Sequence, residues 1–387
     1  MHQFLLSFIL RRPWLLLIIV TVLFYSCKKE GEEYLPLETV TVTAPNYYFF
    51  SDARLFPYDF STIKSSDDNI VMCAKSNAGC CIMKVSKSGN LIWKKDFYQG
   101  SGYYPASITE SFQNYFICGN ILGNTGQDLF LTKLNQDGDT LWNKSYFVNS
   151  FGNEQVCIVK TSDGNLLICG NVLAGTEIYI LKVNQNGDVI SSNTYPGNSA
   201  IFVVHAMETV NSDILLTGYS ISGNQHVLYY LRVDSAGNKL WDKYIGAYQK
   251  IGKSTIELSN GDFVTCGLAA DSVSLPQLLL IKVDHTGTQI WEKKYRDVIG
   301  SSVKENTDGS FSIAGNIYNT SLNRYKTVIQ KVDSSGNLLW YKNIDNNFQA
   351  MTLLKDINDD NIVIGNCITP GVPTVFITKI DNQGNFY

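Results

Sequence analysis

The stretch Lys331-Val332-Asp333-Ser334-Ser335-Gly336-Asn337-Leu338-Leu339-Trp340 holds the plan of the whole chain. An apolar run ends at Val332, Asp-x-x-Gly makes a tight turn, and a second apolar run ends in an indole. Glycine takes the positive φ such a turn demands, and the Asp or Asn side chain bonds the backbone two residues on. The frame recurs as Lys84-Val85 to Gly89 and Trp93, Lys133-Leu134 to Gly138 and Trp142, Lys182-Val183 to Gly187, and Arg232-Val233 to Gly237 and Trp241. It continues as Lys282-Val283 to Gly287 and Trp291, and as Lys379-Ile380 to Gly384. Its glycines are spaced by 48 to 50 residues, which defines an internal repeat present seven times. In phase with it runs a second marker, a short apolar segment closed by glycine: NYFICGN (114–120), NLLICGN (165–171), DILLTGY (213–219), DFVTCG (262–267), SFSIAGN (310–316) and NIVIGN (361–366). NIVMCA (69–74) fills the slot in the first repeat, with Ala74 for glycine.

Each repeat reads as four short strands. In the third, EQVCIVKT (154–161) turns at Ser162-Asp163-Gly164-Asn165 into LLICG, a loop leads to IYILKV (178–183), and Asn184 to Gly187 turn into a strand ending near Tyr195. No helical period intervenes. Seven such units predict an all-β, seven-bladed β-propeller of four-stranded blades over residues 39–387. A solenoid is the alternative, and closure argues against it. The seventh repeat stops before its fourth strand, while an orphan alternating segment, TVTVTA (39–44), precedes the first repeat, so a strand near residues 39–50 is expected to close the last blade. Trp93, Trp142, Trp241, Trp291 and Trp340 share one repeat position, which marks them as packing residues; Ser191 replaces tryptophan in the third repeat and should weaken that contact.

With 387 residues and 44% hydrophobic content the chain can bury a large core, which excludes disorder as its main state. Only 17% of residues are charged and the net charge is −4, so nothing favours nucleic acid as a partner.

The N-terminus reads as an address. Arg11 and Arg12 precede an apolar run from Trp14 to Tyr25, too short to span a bilayer of about 30 Å as a helix. The run ends in Phe24-Tyr25-Ser26-Cys27 followed by Lys28-Lys29, which resembles the lipoprotein signal of the Bacteroidetes, with Phe24 and Tyr25 bulkier than the stricter motif of other bacteria prefers. The resemblance implies a signal peptide over 1–26, lipidation (palmitate) at Cys27, and a tether over 27–38. The acidic KKEGEE (28–33) is similar to stretches that direct such lipoproteins to the outer face of the outer membrane, or is an ordinary linker. An uncleaved N-terminal anchor is the other reading, supported by the apolar Phe4 to Leu10. Both readings tether the chain to a membrane.

The pattern Lys-Val-Asp-x-x-Gly-Asn-x-x-Trp resembles the seven-bladed repeats of bacterial surface proteins. Its Gly-to-Trp spacing is similar to the tryptophan-docking repeats of quinoprotein dehydrogenases and of outer-membrane assembly lipoproteins of the BamB type. The resemblance covers residues 58–387 and speaks to fold more than to function. A vicinal disulfide lies against the cofactor in the dehydrogenases, so Cys80-Cys81 is the one pair it would single out. Those enzymes resemble an eight-bladed ring with calcium-binding acids that have no counterpart here, so adjacent cysteines beginning a strand remain the default.

Cys73, Cys118, Cys169 and Cys266 occupy one slot in four repeats. Packed sheets lie about 10 Å apart, beyond disulfide reach, so these read as small buried apolar residues. His2, His205, His226 and His285 show no ligand spacing, and turns such as NQDGD (135–139) lack the closing glutamate of a calcium loop. No catalytic residue, metal or cofactor is expected. A carboxylate pair brought together from distant blades is the open route to a glycosidase.

Alternating strand directions put the monotonous turns on one face and the variable connections on the other: GSGYYP (100–105), VNSFGN (148–153), ADSVSLP (270–276), IYNTSLNRYK (317–326) and CITPGVP (367–373). Variable loops with aromatic side chains on a rigid scaffold are where binding resides. Tyr103, Tyr104, Phe151, Tyr318 and Tyr325 are therefore the candidate binding face. The expectation is a monomeric, non-catalytic, lipid-anchored outer-membrane scaffold, surface-exposed if the acidic stretch directs export, that holds a protein or glycan. The alternative is a carbohydrate-active propeller enzyme, glycosidase or lyase, with a quinoprotein-type oxidoreductase a distant third.

Overall fold

The structure, a computed structural model, describes residues 32–33, 48–51 and 55–386 apart from connecting stretches at 77–78, 98–101, 124–125, 149–155, 173–174, 247–248, 271–275, 320–323, 345–346 and 368–373. Six sheets are built from four consecutive strands each. Blade 1 is Leu55–Lys64, Ile70–Ser76, Gly79–Val85 and Leu91–Phe97; blade 2 is Tyr103–Ser111, Asn114–Gly123, Gly126–Leu134 and Thr140–Tyr146. Blade 3 is Cys157–Lys160, Leu166–Val172, Glu177–Val183 and Val189–Pro196; blade 4 is Ala200–Glu208, Ile214–Ser222, Gln225–Val233 and Lys239–Ile245. Blade 5 is Lys250–Glu257, Phe263–Ala269, Gln277–Val283 and Gln289–Arg296; blade 6 is Ile299–Glu305, Phe311–Asn319, Arg324–Val332 and Leu338–Ile344. Within each, neighbours pair antiparallel.

Blade 7 takes Phe348–Lys355, Asn361–Cys367 and Thr374–Ile380 from the C-terminus and its fourth strand, Tyr48–Ser51, from the N-terminus. Tyr48 lies opposite Ile377 and Ser51 opposite Thr374 in an antiparallel ladder. The latching strand is thus Tyr48–Ser51; the alternating TVTVTA segment lies outside the described residues. One short addition falls outside the repeat, with Glu32–Glu33 running parallel to Lys294 and Tyr295 on the outer strand of blade 5.

The first strand of each blade touches the first strand of the next, and the series closes between Phe348–Lys355 and Leu55–Lys64. The first strands therefore surround the axis and the fourth strands form the rim. Core residues fall into seven clusters, one per seam between blades, including the seam that joins Ile362, Ile364, Val375 and Ile377 of blade 7 to Ile70, Met72 and Val85 of blade 1. Because each middle strand is covered on both faces, it reads as a continuous apolar run, as in Leu166–Val172, where every residue is buried.

Both sequence markers have a steric cause. In the turn of the quoted stretch, Gly336 sits at φ +78° and donates to the Asp333 carbonyl at 3.0 Å, while Asp333 Oδ1 accepts from the Ser335 and Asn337 amides. The second-strand glycine faces a β-bulge in the first strand, as between Val203 and His205; a Cβ on Gly218 would come within 1.8 Å of the Phe202 carbonyl oxygen.

Candidate functional site

The face of short turns is committed to holding the ring together. The cation that opens each repeat pairs with the aspartate of its own blade's first turn in six blades: Lys84 with Asp67 (2.6 Å), Lys182 with Asp163 (2.7 Å), Arg232 with Asp213 (2.8 Å), Lys282 with Asp262 (3.0 Å), Lys331 with Asp308 (2.8 Å) and Lys379 with Asp356 (2.7 Å). Several also reach the next blade, with Lys84 donating to the Gln136 side chain, Arg232 to the His285 carbonyl and Lys331 to the Asn382 carbonyl. Lys133 has Gln113 where its turn aspartate would be; it donates to the Gln185 carbonyl at 3.3 Å and lies over the Phe116 ring. The ammonium of Lys331, with the Ser310 hydroxyl, holds the Asp308 carboxyl far below the usual range. For Asp67, burial alone would raise the pKa; hydrogen bonds from Lys84, Ser65 and Asn69 outweigh it and lower it. The spacing of these residues is a strong repeat signal, but the pairing joins two turns of one blade and in several blades extends across a seam.

The five repeat tryptophans lie in the same seams. The rings of Trp93, Trp142, Trp241, Trp291 and Trp340 lie under Gly138, Gly187, Gly287, Gly336 and Gly384 of the following blade. The indole N–H of Trp93 donates to the Gln136 carbonyl and that of Trp340 to the Asn382 carbonyl, each at 3.1 Å. Between blades 3 and 4, where Ser191 takes the place of tryptophan, the space above Gly237 is held by Asn193 and Tyr195, whose hydroxyl donates to the Gly237 carbonyl at 2.6 Å. A groove of about 210 Å³ opens there, with Ser235 standing where Gln136 and Gln185 fill the two preceding seams. Its charged lining is matched: Lys182 with Asp163, and Glu208 with the amide and hydroxyl of Ser162.

On the variable face the candidate aromatics form separate groups. Tyr103 is half-buried, edge-on to Phe130 at 5.3 Å. Tyr104 is exposed, and the Lys75 ammonium of the preceding blade lies 3.6 Å from its ring centre. Tyr318 and Tyr325 face each other across the hairpin of blade 6, centroids 4.9 Å apart, with Tyr318 exposed. Phe151 lies outside the described residues, as does Cys27. A third group was not read from the sequence: in blade 4, Phe202 stacks on Tyr219 at 5.0 Å, and Tyr219 leans on His226 at 5.2 Å. Its members come from three strands, so no local motif announced it. Blades 2, 4 and 6 place these groups around the ring and not in one pocket.

The cysteines divide between seams. Successive strand residues face opposite sides, so Cys80 enters the core between blades 1 and 2 while Cys81 enters that between blades 7 and 1. Burial pushes the Cys73 and Cys266 thiols up to about 12, the wrong direction for a nucleophile. Among the described residues, no group of three or more His, Cys, Asp or Glu is disposed to hold a metal ion, and no helix is long and apolar enough to cross a membrane.

Three basic residues lie on neighbouring first strands. His205, Lys253 and Lys304 lie on the first strands of blades 4, 5 and 6, each only partly open to solvent. Burial, with the charge of Lys304 second, pushes His205 down to about 4, and burial lowers both lysines. From the sequence His205 showed no ligand spacing, and the two lysines were not singled out.

No known family matches this chain, and no curated protein matches its sequence. Solved structures do. A streptogramin B lyase shares 10% identity at a TM-score of 0.54 over 88% of this chain and 98% of that one. A Lactobacillus plantarum protein shares 11% at 0.53 over 80% and 90%, and a Synechocystis apocarotenoid oxygenase mutant 13% at 0.50 over 76% and 73%. At such identities the likeness shows the propeller fold and nothing of chemistry.

Proposed function

We propose that this protein is a membrane-tethered propeller that binds a protein or glycan through its variable-loop face. The observation that carries the reading is the distribution of aromatic side chains on that face: Tyr104 with Lys75, the Phe202–Tyr219–His226 group, and Tyr318 with Tyr325, on blades 2, 4 and 6. Separate patches around a rim suit a ligand broad enough to touch several blades, whereas a small substrate needs convergent groups in one concavity. Aromatic rings supply contact area at little entropic cost and stack equally on sugar rings or apolar side chains. On the opposite face the repeat cations are engaged with turn aspartates and with carbonyls across the seams. The lipid tether at Cys27 and surface display rest on the N-terminal sequence.

Affinity capture from the source cell's outer-membrane proteins and polysaccharides tests the reading. The wild-type chain should retain a partner that Tyr104→Ala and Tyr318→Ala/Tyr325→Ala variants of unchanged melting lose. Capture indifferent to all three substitutions would remove the variable face from the account, and turnover of a captured polysaccharide would convert the scaffold into an enzyme. Cys27→Ala should abolish fatty-acid labelling; labelling that persists would remove the lipid site. Protease added to intact cells reports on surface display.

A further inference from the structure

We propose that the groove between blades 3 and 4, on the face opposite the variable loops, binds a primary carboxamide, the group that glutamine and asparagine side chains carry. Its amide hydrogens are donated to the Glu208 carboxylate and its oxygen accepts from the Lys182 ammonium. The template is the seam between blades 1 and 2, where the chain supplies the carboxamide itself. There the Gln136 amide nitrogen donates to Glu110 Oε1 at 2.9 Å, and its oxygen accepts from the Lys84 ammonium at 3.2 Å and the Tyr115 hydroxyl at 2.8 Å. Glu110 also accepts from the amide and hydroxyl of Ser66, and Lys84 also pairs with Asp67. The frame around that carboxamide is copied between blades 3 and 4. Glu208 accepts from the amide and hydroxyl of Ser162 at 2.7 and 2.9 Å, and Lys182 pairs with Asp163 at 2.7 Å. The filling is not copied. Ser235 stands two residues before the turn glycine, where blade 2 has Gln136, and Ile214 faces the end of the third strand, where blade 2 has Tyr115.

Lys182, Glu208, Ile214 and Ser235 line one open space of about 210 Å³, room for more than a single water. Blade 6 also has serine at the turn position, Ser334, but Phe311 takes the place of Ile214 there and packs with the Trp291 indole in that seam. Between blades 3 and 4 the tryptophan is missing too, as Ser191, so three reductions in side-chain size coincide. Both polar ends of the groove keep bonding capacity. A carboxylate offers about four lone-pair sites and an ammonium three donors, and Glu110 and Lys84 bind their carboxamide without giving up Ser66 or Asp67. Glu208 and Lys182 hold the same first partners and have the same capacity to spare. The two charges also select the ligand. A carboxylate in the groove would set a second anion against Glu208 and an ammonium a second cation against Lys182, whereas a neutral carboxamide presents a donor to one and an acceptor to the other.

Ligand-observed saturation-transfer NMR on the purified protein with L-glutamine, L-asparagine and L-glutamate tests the assignment. Saturable transfer is expected from both amides, with glutamate bound at least about tenfold more weakly. Ser235→Gln, which gives the seam a carboxamide of its own, should raise the thermal midpoint and weaken glutamine binding at least about tenfold. Should that variant not fold, Ile214→Phe, which places in the groove the residue that blades 5 and 6 carry, makes the same comparison. A capped Gly-Gln-Gly peptide with an N-methyl amide end separates the two sources of the group: tighter binding than free glutamine names a partner's side chain, and weaker binding names a free amide. No saturable transfer from either amide, glutamate bound as tightly as glutamine, or glutamine binding unchanged in both Ser235→Gln and Ile214→Phe overturns the proposal.

Discussion

The indole N–H of Trp340 in blade 6 donates to the main-chain carbonyl of Asn382 in blade 7 at 3.1 Å, on a turn that Lys331 also reaches. The same turn residue donates its side-chain amide to Asp359 at 2.9 Å, so one corner of the last blade is fastened from three directions. Because blade 7 is assembled from both ends of the chain, this corner helps secure ring closure. We expect Trp340→Ala to cost about 2 to 3 kcal/mol and Trp340→Phe, which keeps a ring but loses the donor, about 1 kcal/mol. Urea unfolding checks the order. Neighbouring blades share seams, so the loss should shift one cooperative transition instead of splitting off a blade.

The seam between blades 3 and 4 is the place to add stability. Ser191 stands where five blades have tryptophan, and Asn193 where Lys95, Lys144, Lys243, Lys293 and Lys342 stand. Its amide already fills the space over Gly237, so Ser191→Trp alone would meet it. We expect Ser191→Trp/Asn193→Lys to raise the thermal midpoint by a few degrees and Ser191→Trp alone to lower it. A double variant no more stable than the wild type would mean that the Tyr195–Gly237 hydrogen bond already compensates in full.

Asn361 occupies a core position that Ile70, Tyr115, Leu166, Ile214, Phe263 and Phe311 fill in the other blades. It is fully buried, and neither its amide nitrogen nor its oxygen has a partner. Burying an amide unpaired costs about 1 to 3 kcal/mol, so Asn361→Leu should stabilise the protein by roughly that amount. Thermal melting decides it, and a destabilised variant would point to overpacking at this site.

Acid should weaken the ring in two stages. His205 is held at about 4 when folded, against about 6.5 in an unfolded chain, so the unfolded state takes up its proton first. Its contribution is therefore complete above pH 6.5 and lost as pH falls towards 4. The Lys304 cation acts on it in the same sense. His205→Gln should flatten this stage of a melting-against-pH curve. Below about pH 4 the turn aspartates follow: their folded pKa values are depressed, so the stability they add is present above their unfolded value and lost as pH falls through the folded one. Lys331→Met should reduce this second loss without altering the first.

The variable face and the seams respond to different substitutions. Tyr318→Ala should leave melting within about 1 kcal/mol of wild type, as an exposed ring contributes little to folding. Gly138→Ala should destabilise measurably, because a Cβ there meets the Trp93 ring at 2.8 Å and φ is +79°. Equal effects of the two on stability would contradict this division.

The strands, the blade count, the turn glycines and the positions of the tryptophans were legible in the sequence because each depends on residues within one repeat. The alternation of side chains and the demands of a tight turn act over fewer than ten residues, and seven copies make the period unmistakable. Even the need for a strand from the N-terminus followed from counting, although Tyr48–Ser51 supplies it where TVTVTA stood as the candidate. What the repeat cation does was not legible, because Lys331 touches Asp308 and Asn382, one in a preceding turn and one in the next blade. Nor was the Phe202–Tyr219–His226 group, whose members come from three strands of blade 4. Closing the ring turns equal repeat positions into spatial neighbours, so local chemistry alone determined the blades, and only the tertiary structure decided which side chains meet within and between them.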